Sequence, residues 1–262
     1  MQLNVGEHSI EVEALIAAAR RAGEAILEVY SQDFCVQFKA DDSPLTLADQ
    51  RSHEIIAEEL ERLGPAIPIV SEEAPLAPFQ VRQSWPYFWL VDPLDGTKEF
   101  VARTGEFTVN LALVHRNEPV FGLVYAPALN CLYYAAKNQG SFRIDLTGTT
   151  RIDKDELKEE IDELIIISSR SHPSPSLSEF IERQRHRHNR VRIVSAGSAL
   201  KFCLVAEGRA HVYPRLGPTR EWDTAAAQVV ATEAGKQVLE YESGQALSYN
   251  KPDLINPWLI CR

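Results

Sequence analysis

The chain has 262 residues, of which 45% are hydrophobic and 24% are charged, and its net charge is −10. This length and composition indicate a globular protein of one large domain or two interlocked halves, and they exclude a disordered chain. The acidic balance argues against nucleic acid as a partner, because a nucleic-acid-binding protein presents a basic surface.

Two helices and two short strands are predicted at the start of the chain. Apolar residues at helical spacing predict a helix over 11–30 and another over 48–63, which Gly64-Pro65 ends. Two short apolar runs follow, over 67–70 and 88–91, and each ends in acidic residues. They predict strands that carry carboxylates at their ends.

The rest of the chain divides into a strand-rich part and a part in which strands and helices alternate. Short gaps rich in turn residues predict an antiparallel meander over 107–115, 120–126 and 131–136. Beyond residue 146, strands are predicted over 164–168, 191–194 and 210–213, and helices over 177–184, 198–207 and 224–234. We therefore predict an α/β protein, with an α+β half over 1–146 and an α/β half over 147–262 that pack closely.

The sequence gives no sign of a membrane span or a signal peptide. The first ten residues lack the apolar core that a signal peptide needs, and no apolar run approaches the length of a membrane span. The four cysteines are far apart in sequence and form no CxxC pair: Cys35, Cys131, Cys203 and Cys261. We expect a cytoplasmic protein with reduced thiols.

The segment Asp92-Pro93-Leu94-Asp95-Gly96-Thr97 carries the sharpest chemical signal. Its two carboxylates are three residues apart, and the proline between them stiffens the turn, so that the Leu94 carbonyl can become a third oxygen ligand. Mg²⁺ prefers such oxygen donors, completed by water and substrate phosphate. Gly96 lets the backbone approach a ligand closely, and Thr97 opens the next segment. The same residues also make a good turn without any metal.

Three further acidic positions have ordinary structural explanations when taken singly. Glu72 and Glu73 follow the first short strand and can be a solvated loop. Asp223 precedes an alanine-rich helix and Asp49 lies at the start of the second predicted helix, where an aspartate commonly caps the helix. Together, however, these acids from distant parts of the chain can converge on one metal cluster.

The combination of Glu72-Glu73, the segment from Asp92 to Thr97, and Trp222-Asp223 resembles the inositol monophosphatase superfamily over essentially the whole chain. The resemblance implies a layered αβαβα sandwich with its active site between the two halves. It also implies that two Mg²⁺, or three, are held by the groups that follow: Glu72, Asp92, the Leu94 carbonyl, Asp95 and Asp223, with Asp49 near the weakest ion. Thr97 and Glu72 would orient or deprotonate the attacking water, and Li⁺ would inhibit.

The continuation of the motif distinguishes between branches of the superfamily. Inositol phosphatases typically have Asn where this chain has Glu99. The string from Asp92 to Phe100 is similar to bacterial 3′(2′),5′-bisphosphate nucleotidases, as are the strings 169–172, 197–203 and 213–215. This resemblance implies hydrolysis of adenosine 3′,5′-bisphosphate to AMP and phosphate in sulfur assimilation, and it extends to 3′-phosphoadenylyl sulfate as a second substrate.

A substrate with two phosphates needs contacts for the phosphate that is not cleaved. Ser198 and Lys201 are three residues apart, on one face of the predicted helix near its N-terminus, and Arg215 adds a second positive charge. His172 could contact the base or the ribose. Ser198 can instead be only a cap, and Lys201 and Arg215 can be only solvated surface side chains.

Other functions remain open. Within the enzyme class the alternative is a sugar phosphatase that acts on inositol monophosphate or fructose 1,6-bisphosphate. Outside it, the alternative is a sensor of metal or nucleotide that keeps the fold. The sequence does not give the oligomeric state.

A dense basic run, 183–190, stands out in this acidic chain. It contains four arginines and two histidines but no aromatic residue for base stacking. Most such runs are solvated surfaces. It is the candidate for a weak peripheral contact with the cytoplasmic side of the inner membrane.

Overall fold

The computed structural model describes residues 1–38, 44–64, 66–153, 163–169 and 174–262. The chain begins with an antiparallel hairpin, β1 (Gln2–Val5) and β2 (His8–Glu11), which leads into α1 (Val12–Tyr30). A second short hairpin, β3 (Gln37–Phe38) and β4 (Pro44–Leu45), precedes α2 (Leu47–Arg62).

A seven-stranded sheet forms the centre of the molecule. Its strands stand in the order β11-β10-β9-β8-β7-β6-β5, and all neighbours are antiparallel except β5 and β6, which are parallel. The strands are β5 (Ile69–Ser71), β6 (Tyr87–Asp95), β7 (Thr108–His115), β8 (Glu118–Ala126), β9 (Cys131–Ala136), β10 (Gly140–Asp145) and β11 (Gly148–Ile152). Two short helices, α3 (Phe79–Arg82) and α4 (Thr97–Val101), and a 3₁₀ turn, Pro127–Leu129, lie in its connections.

The remaining elements follow as alternating strands and helices. They are β12 (Leu164–Ser169), α5 (Pro175–Arg185), β13 (Val191–Ala196), α6 (Leu200–Ala206), β14 (Tyr213–Arg215), a 3₁₀ helix (Glu221–Asp223), α7 (Ala225–Glu233), β15 (Val238–Glu240) and β16 (Leu259–Cys261). β12 and β13 pair in parallel, and β14, β16 and β15 form an antiparallel sheet. The Ile166–Val212 bridge joins these two sheets.

Three apolar cores define the layers. Side chains of α1 and α2 pack with Trp89, Leu111 and their neighbours on one face of the large sheet. Side chains of α6 and α7 pack on the other face, with Phe88 and Leu90. A smaller core joins Phe180 of α5 to β12 and to the segment before β14. The layers therefore run helices, sheet, helices, strands, helix, which confirms the predicted αβαβα sandwich.

The structure corrects several predicted elements. The helix predicted over 198–207 begins at Leu200, because Ser198 has φ of +49°, outside the helical region. The strand predicted over 210–213 begins only at Tyr213. The hairpins β1–β2 and β10–β11 were not predicted, because their alternation is short and their residues are largely polar. The predicted boundary near residue 146 falls in the turn between β10 and β11, and the division into two halves stays a prediction.

The expectations about membrane spans and about the cysteines can be compared with the part of the chain that the structure describes. Within that part, no helix combines the length and the apolar composition that crossing a membrane requires. All four cysteines are free, and three of them are buried. The cytoplasmic location and the peripheral membrane contact stay predictions.

Candidate active site

Two carboxylates lie side by side on neighbouring parallel strands, Glu72 directly after β5 and Asp92 within β6. Val70 on β5 pairs with Leu90 on β6, and the Glu72 amide donates to the Val91 carbonyl over 3.2 Å. Val70 and Leu90 pack on the side of α6 and α7. Because side chains two residues apart share a face, Glu72 and Asp92 point to that same side at one edge of the sheet.

Asp92 and Asp95 line the same cavity because β6 contains a β-bulge between them. On a regular strand, residues three apart point to opposite faces. Asp92 lies opposite Asn110 and Asp95 opposite Thr108, so three steps on β6 match two on β7. The extra residue reverses the alternation. Leu94 therefore packs beneath α1 and α2, and Asp95 faces the cavity that Asp92 lines.

The third carboxylate comes from the 3₁₀ helix Glu221–Asp223, far along the chain. The first residue of this helix is fully buried, and its carboxylate accepts hydrogen bonds from the amides of Asn250 at 2.6 Å and Lys251 at 2.9 Å. The Arg220 amide donates to Asp223 Oδ2 over 2.9 Å. The sequence suggested that Asp223 caps α7, but the N-cap of α7 is Thr224. Asp223 instead caps the start of the 3₁₀ helix.

Carboxylate oxygens of Glu72, Asp92 and Asp223 all lie within 4.8 Å of one another. Burial raises the pKa of Asp92 well above its usual range, and the charges of Glu72, Asp95, Asp223 and Asp49 raise it further. Burial also raises the pKa of Asp223, with Asp95 and Glu72 adding to it. Like charges gathered in a buried site destabilise one another unless a cation neutralises them. An all-oxygen acidic donor set of this kind fits Mg²⁺.

A buried lysine faces the second aspartate of the motif. Burial raises the pKa of Asp95 to about 6, against the opposing effect of the Lys201 charge. Burial lowers the pKa of Lys201 to about 8, although Asp95 raises it. The ammonium donates to the Ser198 carbonyl over 2.6 Å and lies 5.5 Å from the centre of the Tyr213 ring. Asp95 Oδ2 also accepts a 2.6 Å hydrogen bond from the Ala199 amide.

Asp49 contacts the Thr97 hydroxyl while it caps its own helix. Its Oδ2 accepts from the amide and the hydroxyl of Thr46, both at 2.7 Å. Its Oδ1 lies 3.4 Å from Thr97 Oγ1, and the Leu94 carbonyl lies 3.3 Å from the same hydroxyl. The capping explanation for Asp49 is therefore correct, and it does not prevent the second contact.

Gly96 connects the bulge to α4 in a conformation that favours glycine. Its φ is +89°, and a Cβ atom would lie 3.2 Å from the Glu106 carbonyl and 3.3 Å from the Ser198 side chain. The sequence predicted that Gly96 lets the backbone approach a ligand closely. In the structure, Gly96 lies close to Glu106 and Ser198 of the chain itself. It keeps Thr97 directly beside the segment that precedes α6.

These residues line a cavity of about 500 Å³. Arg215 contributes a guanidinium whose Nε is buried without a hydrogen-bond partner among the described residues, while one Nη donates to the Pro218 carbonyl over 2.8 Å. Sequence reasoning missed the following residues of the lining: Pro218, Thr219, Arg220, Thr224 and Ile255. Most lie in loops, where no periodic pattern marks an inward side chain. Lys98 and Ser169 also line the cavity, and sequence reasoning included them only as parts of the strings similar to bisphosphate nucleotidases.

The structure brings most of the predicted site residues together. Nine of them line this one cavity: Glu72, Asp92, Leu94, Asp95, Thr97, Ser198, Lys201, Arg215 and Asp223. Gly96 lines it as well, and Asp49 reaches it through Thr97. The sequence predicted that Ser198 and Lys201 share a helix face. In the structure Ser198 precedes α6, so this prediction was wrong. His172 lies outside the described residues, and its role stays a prediction.

The fold and this site agree with a known class of phosphatases. The model of the inositol monophosphatase family matches residues 9–258. The chain belongs to the inositol monophosphatase family.

Named relatives within that family are bacterial bisphosphate nucleotidases. The 3′(2′),5′-bisphosphate nucleotidase CysQ of Salmonella typhimurium strain LT2 is 45% identical over 249 residues, which are 94% of this chain and 97% of that protein. The protein of the same name from Escherichia coli K12 is also 45% identical, over 91% of this chain and 94% of its own length.

Solved structures give the same result for the fold. The crystal structure of CysQ from Bacteroides thetaiotaomicron, a bacterial member of the inositol monophosphatase family, has 41% identity and a TM-score of 0.85, over 95% of this chain and 96% of that chain. The Thermotoga maritima IMPase has 26% identity and a TM-score of 0.77, over 95% and 91% of the two chains.

Proposed function

We propose that this protein is a Mg²⁺-dependent 3′(2′),5′-bisphosphate nucleotidase that hydrolyses adenosine 3′,5′-bisphosphate to AMP and phosphate. The activity extends to 3′-phosphoadenylyl sulfate and belongs to sulfur assimilation. The observation that carries the proposal is a single cavity in which Glu72, Asp92 and Asp223 cluster within 4.8 Å and cationic side chains stand among the other lining residues. The names of the CysQ relatives support the same substrate.

Glu72, Asp92, the Leu94 carbonyl, Asp95 and Asp223 would hold two Mg²⁺, with Asp49 near a third, weaker ion. The bound metals would screen the charge of the phosphate and lower the pKa of the attacking water. The carboxylates have the acceptor atoms and the excess negative charge that such ions need.

Thr97 is suited to positioning the attacking water. If its hydroxyl proton is directed to Asp49 Oδ1, an oxygen lone pair is left to accept a hydrogen bond from water in the cavity. Glu72, in the same cavity, is the second acceptor for that water. The water oxygen then bonds to phosphorus, the bond from phosphorus to the ribose 3′-oxygen breaks, and that oxygen gains a proton as the alcohol.

Arg215 and Lys201 are suited to the 5′-phosphate, which is not cleaved. The Arg215 Nε–H has no partner among the described residues, and a buried donor without a partner is destabilising until a ligand accepts from it. Lys201 places a charge in the same cavity. An anionic group bound there would be held at one end while the other phosphate reaches the carboxylate cluster.

The direct test is phosphate release by the purified protein with Mg²⁺ from four substrates: adenosine 3′,5′-bisphosphate, 3′-phosphoadenylyl sulfate, inositol 1-phosphate and fructose 1,6-bisphosphate. We expect the highest kcat/KM for the first. A clear preference for either sugar phosphate would contradict the proposal.

Asp95→Asn should lower turnover by about 10²-fold or more, since an electrostatic group at the reaction centre is lost. Turnover is measured as phosphate release with Mg²⁺, and unchanged turnover would remove the motif from the mechanism.

The role of Arg215 is tested by a substrate that lacks the second phosphate. Adenosine 3′-monophosphate keeps the phosphate to be cleaved but offers Arg215 nothing to bind. We expect Arg215→Met to reduce the preference for the bisphosphate about tenfold, the value of one charge-assisted hydrogen bond. Arg220→Met is the matched control, because Arg220 lines the same cavity and donates to the Asp253 carbonyl. An equal loss in both variants would contradict the assignment.

A further inference from the structure

A second cavity, of about 620 Å³, lies beneath the C-terminal half of α5. We call it the α5 cavity. It is lined by Leu164, Phe180, Arg183, Gln184, Arg187, His211, Val212, Leu239, Glu240, Tyr241, Gly244, Ile260 and Arg262. None of these residues lines the first cavity. The α5 cavity is therefore a separate site, and the proposed phosphatase mechanism does not use it.

The floor of the α5 cavity is apolar and aromatic. Phe180 and Val212 are buried there, in the small core between α5 and β12. The Phe180 and Tyr241 rings meet edge to face, with their centres 6.2 Å apart. A volume within the usual range for small-molecule sites, with an aromatic wall, suits a flat organic ring.

Hydrogen-bond donors surround this floor. One Arg183 Nη donates to the Tyr241 hydroxyl over 2.8 Å, which fixes the guanidinium at the mouth and leaves its other N–H groups available. No ion pair involves Arg187 in the part of the chain that the structure describes. His211 Nδ1 accepts from the Ile165 amide over 2.9 Å, so the neutral ring carries its proton on Nε2 and is a donor there.

The surrounding charges are also mostly positive. The pKa of His211 is lowered by burial first, and then by the charges of Lys236, Arg192 and His188, against the opposing effect of Glu163. Glu240 is the acidic side chain in the lining, and it accepts a 2.6 Å hydrogen bond from the Ser243 hydroxyl. The basic run singled out in the sequence thus contributes Arg183, Gln184 and Arg187 to the lining of this cavity.

We propose that the α5 cavity binds a small phosphorylated molecule with an aromatic ring, of the nucleoside monophosphate class. The ring would lie against Tyr241, whose own ring packs edge to face with the buried Phe180, and the phosphate would accept hydrogen bonds from Arg183 and Arg187. Guanidinium groups match phosphate oxygens in a fork geometry. The depth of the floor favours a soluble molecule over a lipid headgroup, because a flat membrane surface does not reach Phe180, which is only 5% exposed.

The test is a calorimetric titration of the Mg²⁺-loaded protein with AMP. The Arg183→Ala/Arg187→Ala double variant should bind AMP in the α5 cavity at least about tenfold more weakly than the unsubstituted protein, since at least one charge-assisted hydrogen bond is lost. Arg185→Ala is the matched control, because Arg185 is exposed on the same helix, pairs with Glu182 and does not line the cavity. It should titrate like the unsubstituted protein.

Two further probes separate the parts of the ligand. Adenosine lacks the phosphate and inorganic phosphate lacks the ring, so each should bind the unsubstituted protein at least about tenfold more weakly than AMP. Equal AMP binding by the unsubstituted protein and the double variant would overturn the proposal. A second result would also overturn it. In that result, phosphatidylglycerol vesicles retain the unsubstituted protein but not the double variant, and the two proteins bind AMP equally.

This inference is independent of the proposed function, and the two can fail separately. If AMP also binds as the product in the first cavity, the unsubstituted protein shows two classes of site and the double variant keeps one. If the nucleotidase proposal fails, phosphate release is absent, yet the one remaining class of AMP site should still disappear in the double variant. That outcome supports the α5 cavity.

Discussion

At the scale of the residue, Asp92 is held where its charge is least stable. It is 2% exposed, and burial followed by four neighbouring carboxylates raises its pKa. We expect Asp92→Asn to abolish phosphate release and yet to stabilise the metal-free protein, because it removes a buried carboxylate that its acidic neighbours repel. The asparagine keeps an oxygen for the Leu94 amide, which donates to Asp92 Oδ1 over 3.1 Å.

The measurement is thermal unfolding in EDTA and in Mg²⁺, together with turnover. The unsubstituted protein should gain stability on adding Mg²⁺, and Asp92→Asn should gain much less, because a ligand that binds only the folded state stabilises it. Asp33→Asn, at an exposed position, is the control and should behave like the unsubstituted protein. If Asp92→Asn is less stable than the unsubstituted protein in EDTA, repulsion among the carboxylates does not dominate the stability of the metal-free site.

A second residue-scale prediction concerns His211 and pH. Burial lowers its pKa below 6.5, so the folded state favours the neutral ring that accepts from the Ile165 amide. As the pH falls below 6.5, the unfolded chain takes up this proton before the folded one does, and the free energy of unfolding decreases. His211 therefore contributes stability above pH 6.5 that is lost towards pH 5.

Chemical unfolding at several pH values between 5 and 8 checks this. His211→Asn keeps an acceptor in the place of Nδ1 but does not titrate, so its free energy of unfolding should depend less steeply on pH. Comparing the two proteins cancels the contribution of the acidic cluster, which has the opposite sign. Parallel pH profiles would contradict the prediction.

The site residues that the sequence predicted best are those whose backbone conformation is restricted by their neighbours in the chain. The segment from Asp92 to Thr97 could be recognised because proline and glycine restrict its backbone. Arg220 and Ile255 could not be, because they lie in loops, and only the folded chain shows that they line the cavity. For Ser198 the position was correct and the conformation wrong, since nothing in its own identity predicts a positive φ.

At the scale of the element, α7 packs on the sheet at a glycine. A Cβ atom on Gly122 of β8 would lie 2.0 Å from the Ala226 carbonyl oxygen, so the helix backbone rests directly on the strand. We expect Gly122→Ala to lower the free energy of unfolding by about 1–3 kcal/mol or more, because the helix must move outwards.

Denaturant unfolding of Gly122→Ala measures this effect. Gly217→Ala is the control, since its Cβ would meet no atom within 4 Å and its stability should stay within about 0.5 kcal/mol of the unsubstituted protein. Similar losses in both variants would mean that the contact between Gly122 and α7 does not decide the result.

Long elements were predicted well and short ones poorly. α1 and α2 show the helical spacing of apolar residues over four or more turns, and the structure places their bounds within one residue of the prediction. The hairpin β10–β11 has mostly polar, partly exposed residues, so its pairing depends on the neighbouring β9 rather than on a pattern of its own. Local sequence carries little of that information.

At the scale of the whole molecule, one buried arginine joins α3 to the segment 250–252, which is distant in sequence. Arg82 is 2% exposed; its guanidinium donates to Asn250 Oδ1 over 2.6 Å and to the carbonyls of Lys251 and Pro252 at 3.1 Å. The amides of Asn250 and Lys251 in turn donate to Glu221. Arg82 thereby supports the 3₁₀ helix that presents Asp223, from about 140 residues away in sequence.

We expect Arg82→Lys to lower the free energy of unfolding by about 3 kcal/mol or more, because an ammonium cannot replace all of these charge-assisted hydrogen bonds. Turnover should fall as well, through displacement of Asp223. Arg62→Lys is the control, because the Arg62 side chain is exposed, lysine keeps its positive charge beside Glu59, and Arg21 also pairs with that carboxylate. Denaturant unfolding and phosphate release measure both effects, and full stability in Arg82→Lys would contradict this account.

The bulge in β6 determines which face of the sheet each residue after Asp92 lines. Its one unmatched residue decides which way every later side chain of the strand points, so Leu94 enters the apolar layer and Asp95 the cavity. Exchange of a side chain here changes one contact. A regular strand with the same three-residue spacing would instead point Asp95 into the apolar layer and Leu94 into the cavity. The unmatched residue is therefore what lets two carboxylates an odd number of positions apart serve one site.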